Sequence, residues 1–95
     1  MIIMYELVPS SKFKKDLKAC LKRGCKLEDI KTVLDYLTES GQVPSEFKPH
    51  KLGGEYKGMW ECHIKPDWLL IYERQKSIRL IGLARTGRHQ DLFDE

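Results

Sequence analysis

Apolar residues along this chain follow two periods, and the switch between them separates a helical stretch from one that reads as sheet. Ile2 to Val8 is rich in β-branched and aromatic residues and stops at Pro9, which predicts an opening strand. Phe13, Leu17, Cys20 and Leu21 then recur at helical spacing. Ser10 or Ser11 is placed to cap that helix and Gly24 to end it. A second helix is predicted from Leu27 to Glu39, with Ile30, Val33, Leu34 and Leu37 as its buried stripe. Glu28 and Asp29 suit the positive end of its dipole, and Ser40-Gly41 closes it. Gln42 to Lys57 carries Pro44, Pro49, Gly53 and Gly54 without sustained periodicity and reads as a long ordered loop. Three strands follow, Gly58 to Ile64, Trp68 to Arg74 and Ile78 to Arg85. Pro66-Asp67 and Gln75-Lys76-Ser77 supply the turns of an antiparallel meander. The tail from Thr86 to Glu95 is polar except for Leu92 and Phe93. The expected fold is α+β, in the order strand-helix-helix-strand-strand-strand, with a two-helix hairpin packed on one face of a twisted, mainly antiparallel sheet.

Length holds this to one domain over residues 1–95, because a chain this short does not divide its apolar residues between two cores. With 33% charged and 41% apolar residues it reads as a globular protein rather than a disordered or membrane one. No apolar run is long enough to cross a bilayer and the N-terminus lacks signal-peptide features, so a cytoplasmic location is expected. Cys20, Cys25 and Cys62 are an odd set without metal-type spacing and read as reduced thiols, Cys20 and Cys62 as small core hydrophobes. The net charge of +3 is mild but unevenly placed, since Lys12, Lys14, Lys15, Lys18, Lys22, Arg23 and Lys26 crowd one segment. That run fits a surface that attracts a polyanion by counterion release, and it fits equally the solvated face of a helix.

All three histidines, His50, His63 and His89, fall in the second half with Asp67 and Arg85. Cutting RNA without a metal needs a base for the ribose 2′-OH, an acid for the departing 5′-oxygen and a cation for the non-bridging oxygens. Imidazole suits both proton transfers, and the guanidinium fork suits phosphate. His63 near one strand end and Asp67 across the hairpin turn are expected on one rim. Arg85, closing the last strand, returns to that rim with His89 a few residues on. Each residue also has an ordinary reading: the histidines as surface hydrogen-bonding groups, Asp67 as a turn residue, Arg85 as a solvated strand end, Trp68 and Phe93 as core or lid. Three histidines and an aspartate could bind zinc, but not at recognised spacing, so no metal and no cofactor are assigned.

The motifs His50-Lys51-Leu52-Gly53-Gly54, His63-Ile64-Lys65-Pro66-Asp67-Trp68 and Arg85-Thr86-Gly87-Arg88-His89-Gln90-Asp91-Leu92-Phe93 together resemble the RelE/ParE toxin superfamily, most closely its YafQ-type branch. The resemblance implies a RelE-like domain and a ribosome-dependent mRNA endonuclease, the toxin of a type II toxin-antitoxin pair. Carried onto this sequence, it makes His50, His63, Asp67, Arg85 and His89 catalytic and sets Trp68, Phe93, Lys51 and Arg88 to position RNA. Arg88 departs from the small polar residue often found before the last histidine. Lys14, Lys15, Lys18 and Lys22 would dock on the ribosome. The implied partners are a cognate antitoxin, the ribosome with its mRNA, and operator DNA only through the antitoxin complex. ParE-type relatives share the architecture but inhibit DNA gyrase without RNA chemistry, and an inactive remnant that only binds its antitoxin is the other alternative.

Overall fold

The computed structural model describes residues 4–93; the expected strand residues Ile2 and Ile3 and the tail residues Asp94 and Glu95 lie outside them. Along the chain run β1 (Glu6–Pro9), α1 (Ser11–Lys22), α2 (Leu27–Ser40), β2 (His50–Lys51), β3 (Trp60–Lys65), β4 (Trp68–Gln75), β5 (Leu80–Gly87) and α3 (His89–Phe93). The strands form one sheet in the order β1-β5-β4-β3-β2. The β2–β3, β3–β4 and β4–β5 pairs are antiparallel and β1 lies parallel to β5, so the sheet is mixed and mainly antiparallel.

Both long helices begin and end where their sequence says. Ser10 Oγ accepts a hydrogen bond from the Phe13 N–H at 2.9 Å, satisfying an orphan donor of the first turn of α1. Gly41 ends α2 in the left-handed region at φ 74°, its N–H bonded to the Leu37 carbonyl. Phe13 and Cys20 on α1 and Ile30, Val33 and Leu37 on α2 are buried against Cys62, Ile64, Trp68, Leu70, Tyr72, Ile81 and Leu83 of the sheet. A smaller cluster of Leu69, Ile71 and Leu92 covers part of the opposite face, with Leu52, Tyr56, Met59, Ala84 and Phe93 packed around it.

The expected loop from Gln42 to Lys57 contains β2 and two single-turn 3-10 helices, Ser45–Phe47 and Gly54–Tyr56. A two-residue strand is too short to show a period, so only its pairing reveals it: His50 faces Glu61 and Lys51 faces Trp60. The last strand begins at Leu80 rather than Ile78, because Lys76–Ile78 forms a tight turn that leaves Arg79 at φ 53°. The polar tail is partly structured: Thr86 and Gly87 extend β5, and α3 brings Leu92 down onto the sheet.

Candidate active site

His50, His63 and Arg85 lie on the face of the sheet away from α1 and α2. Residues directly opposite on antiparallel strands share a face, so the register aligns His50, Glu61, Ile71 and Arg85 in one row across β2, β3, β4 and β5. His63, Leu69 and Gly87 form the next row. Arg85 is on this face because of a bulge. Ile71 pairs with Arg85 but its neighbour Tyr72 pairs with Leu83, leaving Ala84 as an extra residue. Strict alternation from the buried Leu83 would have turned Arg85 towards the helices.

Three groups of polar side chains result. In the first, the carboxylate of Glu61, 5% exposed, lies between two imidazoles. Its Oε1 is 3.1 Å from His50 Nε2 and 3.9 Å from His63 Nε2, and the two rings are 6.5 Å apart. Each ring is also set from its other nitrogen, His50 Nδ1 by the Lys48 carbonyl at 3.1 Å and His63 Nδ1 by the Pro66 carbonyl at 3.4 Å. In the second, on the rim, the His89 N–H donates to Asp67 Oδ1 at 3.4 Å. The His89 ring lies 4.8 Å from Phe93, which meets Tyr56 edge-on at 5.7 Å.

The third group is built on Arg85, two strand spacings from Glu61, roughly 10 Å. Its Nε and Nη2 donate to the Asp16 carboxylate of α1 at 2.6 and 3.1 Å. Those bonds hold the guanidinium well above its ordinary pKa and permanently charged, against the opposing effect of its burial. Arg85 and Tyr56 line a cavity of about 520 Å³ with Ser10, Lys12, Ala84 and Leu92.

Three of the expected RNA-positioning residues are placed otherwise. Trp68 is core: it is buried on the helix side and its Nε1–H donates to Thr86 Oγ1 at 2.9 Å. Lys51 alternates with His50 along β2 and lies over the Trp60 ring at 5.9 Å, away from the histidines. The fork of Arg88 is taken up by Asp91 at 3.1 and 3.2 Å, raising the arginine and lowering the aspartate. The same carboxylate accepts the Arg88 N–H and so caps α3. Lys14, Lys15, Lys18 and Lys22 are exposed on α1. Among the described residues, no three His, Cys, Asp or Glu side chains are arranged to hold a metal ion.

The expected site omits Glu61, Asp16 and Tyr56. Glu61 was legible in principle, since it precedes His63 by two positions in a predicted strand and must share its face. Asp16 had a fainter signal as the one acid between Lys12 and Lys26. Tyr56 had none, because its position depends on how the loop folds back.

The family model for the bacterial toxin of type II toxin-antitoxin systems, YafQ, matches residues 5–94. The chain belongs to the YafQ family. It is 32% identical to the mRNA interferase toxin YafQ of Escherichia coli K12 over 93 residues, covering 97% of this chain and 99% of that one. YafQ in the E. coli DinJ-YafQ complex superposes with a TM-score of 0.84 at 32% identity, over 94% of this chain and 98% of that one. A metal-bound toxin from Helicobacter pylori superposes with a TM-score of 0.85 at 38% identity, over 95% of this chain and all of the other. The α+β architecture expected from the sequence is thus that of the YafQ toxins, and the toxin identity follows from membership.

Proposed function

We propose that this YafQ-family toxin is an endoribonuclease of the mRNA interferase class. It cuts messages in the ribosomal decoding site by attack of the ribose 2′-oxygen on the adjacent phosphorus. The observation that carries the reading is the pair of imidazoles, His50 and His63, facing one buried carboxylate, Glu61, on the strand row that also carries Arg85. In the proposed step His63, whose Nε2 at 3.9 Å from Glu61 is outside hydrogen-bond reach, takes the 2′-OH proton as the new P–O bond forms. The bond to the 5′-oxygen breaks, and a second acid, drawn from the other imidazole or from the His89 and Asp67 rim, protonates the leaving oxygen. Arg85 faces the charge that develops on the non-bridging oxygens. Glu61 orients the His50 ring at 3.1 Å, as the carboxylate partner of a catalytic imidazole does elsewhere, and sets its charge 3.9 Å from His63. The products are a 2′,3′-cyclic phosphate, or the 3′-phosphate from its hydrolysis, and a 5′-hydroxyl fragment. Ribosome-held mRNA supplies the attack geometry that so small an enzyme does not build alone.

The named E. coli relative is an mRNA interferase, and its complex with DinJ supports a cognate antitoxin as this chain's partner. Operator DNA would be reached through that antitoxin. The test is single-turnover cleavage of a short message on purified ribosomes, with a 2′-deoxy substitution at the cut site and analysis of fragment ends. The deoxy substrate should stay intact, the downstream fragment should carry a 5′-hydroxyl, and His50→Ala, His63→Ala and Glu61→Gln should each lose about 10²–10⁴-fold in rate. A cut deoxy substrate or a 5′-phosphate would overturn the mechanism. Growth arrest without any cleavage would favour the gyrase-inhibitor reading.

A further inference from the structure

A carboxylate set among lysines on an exposed helix is expected to pair with them across one turn. Asp16 does not. Its side chain is 16% exposed and turns towards β5, while Lys12, Lys14, Lys15 and Lys18 stay at the surface. β1 pairs with β5 only from Leu80 to Leu83, so the edge of β5 beyond that point is open to α1. Asp16 fills it. Oδ2 accepts the Thr86 N–H at 3.2 Å and the Arg85 Nε–H at 2.6 Å, and Oδ1 accepts from Nη2 at 3.1 Å.

A two-point contact of this kind fixes the plane of a guanidinium as well as its place. It uses one edge of the fork and leaves the remaining N–H groups to the Tyr56 hydroxyl and to the cavity that Arg85 lines with Lys12 and Tyr56. We infer that Asp16 is a positioning residue for the cleavage reaction. It holds Arg85 in the one orientation that presents the outer edge of its fork to the scissile phosphate. This inference rests on the proposed reading of Arg85 as the phosphate clamp.

Two other roles fit the geometry less well. A simple staple between α1 and β5 would need only the bond to Thr86, because Ser10 already ties the helix start to the Leu83 and Ala84 carbonyls at 2.9 and 2.8 Å. An inhibitory lock, released when phosphate displaces Asp16, would strand a largely buried carboxylate without its partner. The phosphate therefore adds to the pair instead of replacing one member.

A double-mutant cycle tests this on ribosomes programmed with a short message. Single-turnover rate and apparent toxin affinity would be measured for wild type, Asp16→Ala, Asp16→Asn, Arg85→Ala and the two double variants, with Tm recorded for each. Asp16→Ala should slow cleavage by about 10–100-fold, the size expected when a reacting group is displaced by about 1 Å, with affinity little changed. Asp16→Asn should retain more activity, since its amide oxygen still accepts one guanidinium N–H. In the Arg85→Ala background neither change should slow cleavage further, and the loss of Tm should differ between the two backgrounds because Asp16 and Arg85 are in direct contact. Additive losses, an unimpaired Asp16→Ala or a faster one would each overturn the inference. If Asp16→Ala does not fold, the isosteric Asp16→Asn completes the cycle alone. Wild-type cleavage by Arg85→Ala would instead remove the phosphate-clamp reading, a failure distinguishable from that of Asp16.

Discussion

Cys62 sits in the middle of β3, fully buried and facing the helices, and burial, with the adjacent Glu61 adding to it, pushes its thiol up to about 12 from 9.0. The same burial raises the Tyr72 hydroxyl on β4. The consequence for stability has a definite sign. Above pH 9 the unfolded chain releases the Cys62 proton, while the folded chain keeps it until about pH 12. Within that window the folded state binds more protons, so stability should fall as pH rises, and below it the thiol contributes no dependence. The slope is at most about 1.4 kcal/mol per pH unit for each such proton. Urea unfolding under reducing conditions at pH 8, 9 and 10 should show the decline, and Cys62→Ala should have a shallower one although it is less stable throughout. Equal slopes would mean that the thiol does not stay protonated in the fold.

At the scale of elements, two single changes distinguish what fixes the start of α1 from what fixes the end of α2. Ser10→Ala removes both the cap and the bond to the Ala84 carbonyl, which together should cost about 1–2 kcal/mol. Gly41→Ala should cost more. Its φ of 74° disfavours a side chain, and the new Cβ would lie 2.6 Å from the Tyr5 ring, so about 2–4 kcal/mol is expected from strain and overpacking together. Chemical denaturation of both variants checks the order, and a milder Gly41→Ala would show that Tyr5 moves aside. These helices were legible because an amphipathic stripe of three or four turns and a cap residue are local signals. The short elements β2 and α3 were not. β2 has two residues and α3 has five, so neither repeats a period, and both exist only through contacts with residues distant in sequence. The bulge at Ala84 is equally silent, yet it decides which face Arg85 occupies. The site residues were recognisable as a set because their types suit phosphoryl chemistry and their motifs resemble a family. Their partners Glu61 and Asp16 are ordinary acids until the register and the helix placement bring them to a histidine and an arginine.

Over the whole molecule, the face that carries the histidines and the exposed lysines of α1 are tied together by α1 itself. Asp16 reaches Arg85, and Arg23 reaches Asp91 of α3 at 3.5 Å, so the basic helix is anchored to both ends of the segment from Arg85 to Phe93. Lys14, Lys15, Lys18 and Lys22 take no part in those bonds and remain exposed. If they dock on ribosomal RNA, each contributes by releasing counterions, and the contribution is visible as salt dependence. Changing all four to glutamine should weaken ribosome binding at low salt and reduce the slope of log K against log salt by up to about 3. The four changes together should cost no more than about 2 kcal/mol, because surface substitutions away from buried contacts are worth at most about 0.5 kcal/mol each. Single-turnover cleavage at saturating toxin should also be preserved, since the changes leave His50, Glu61, His63 and the Asp16–Arg85 pair in place. An unchanged salt slope would assign the lysines to a solvated helix face. A lower saturated rate at normal affinity would instead indicate that α1 carries its effect inward through Asp16.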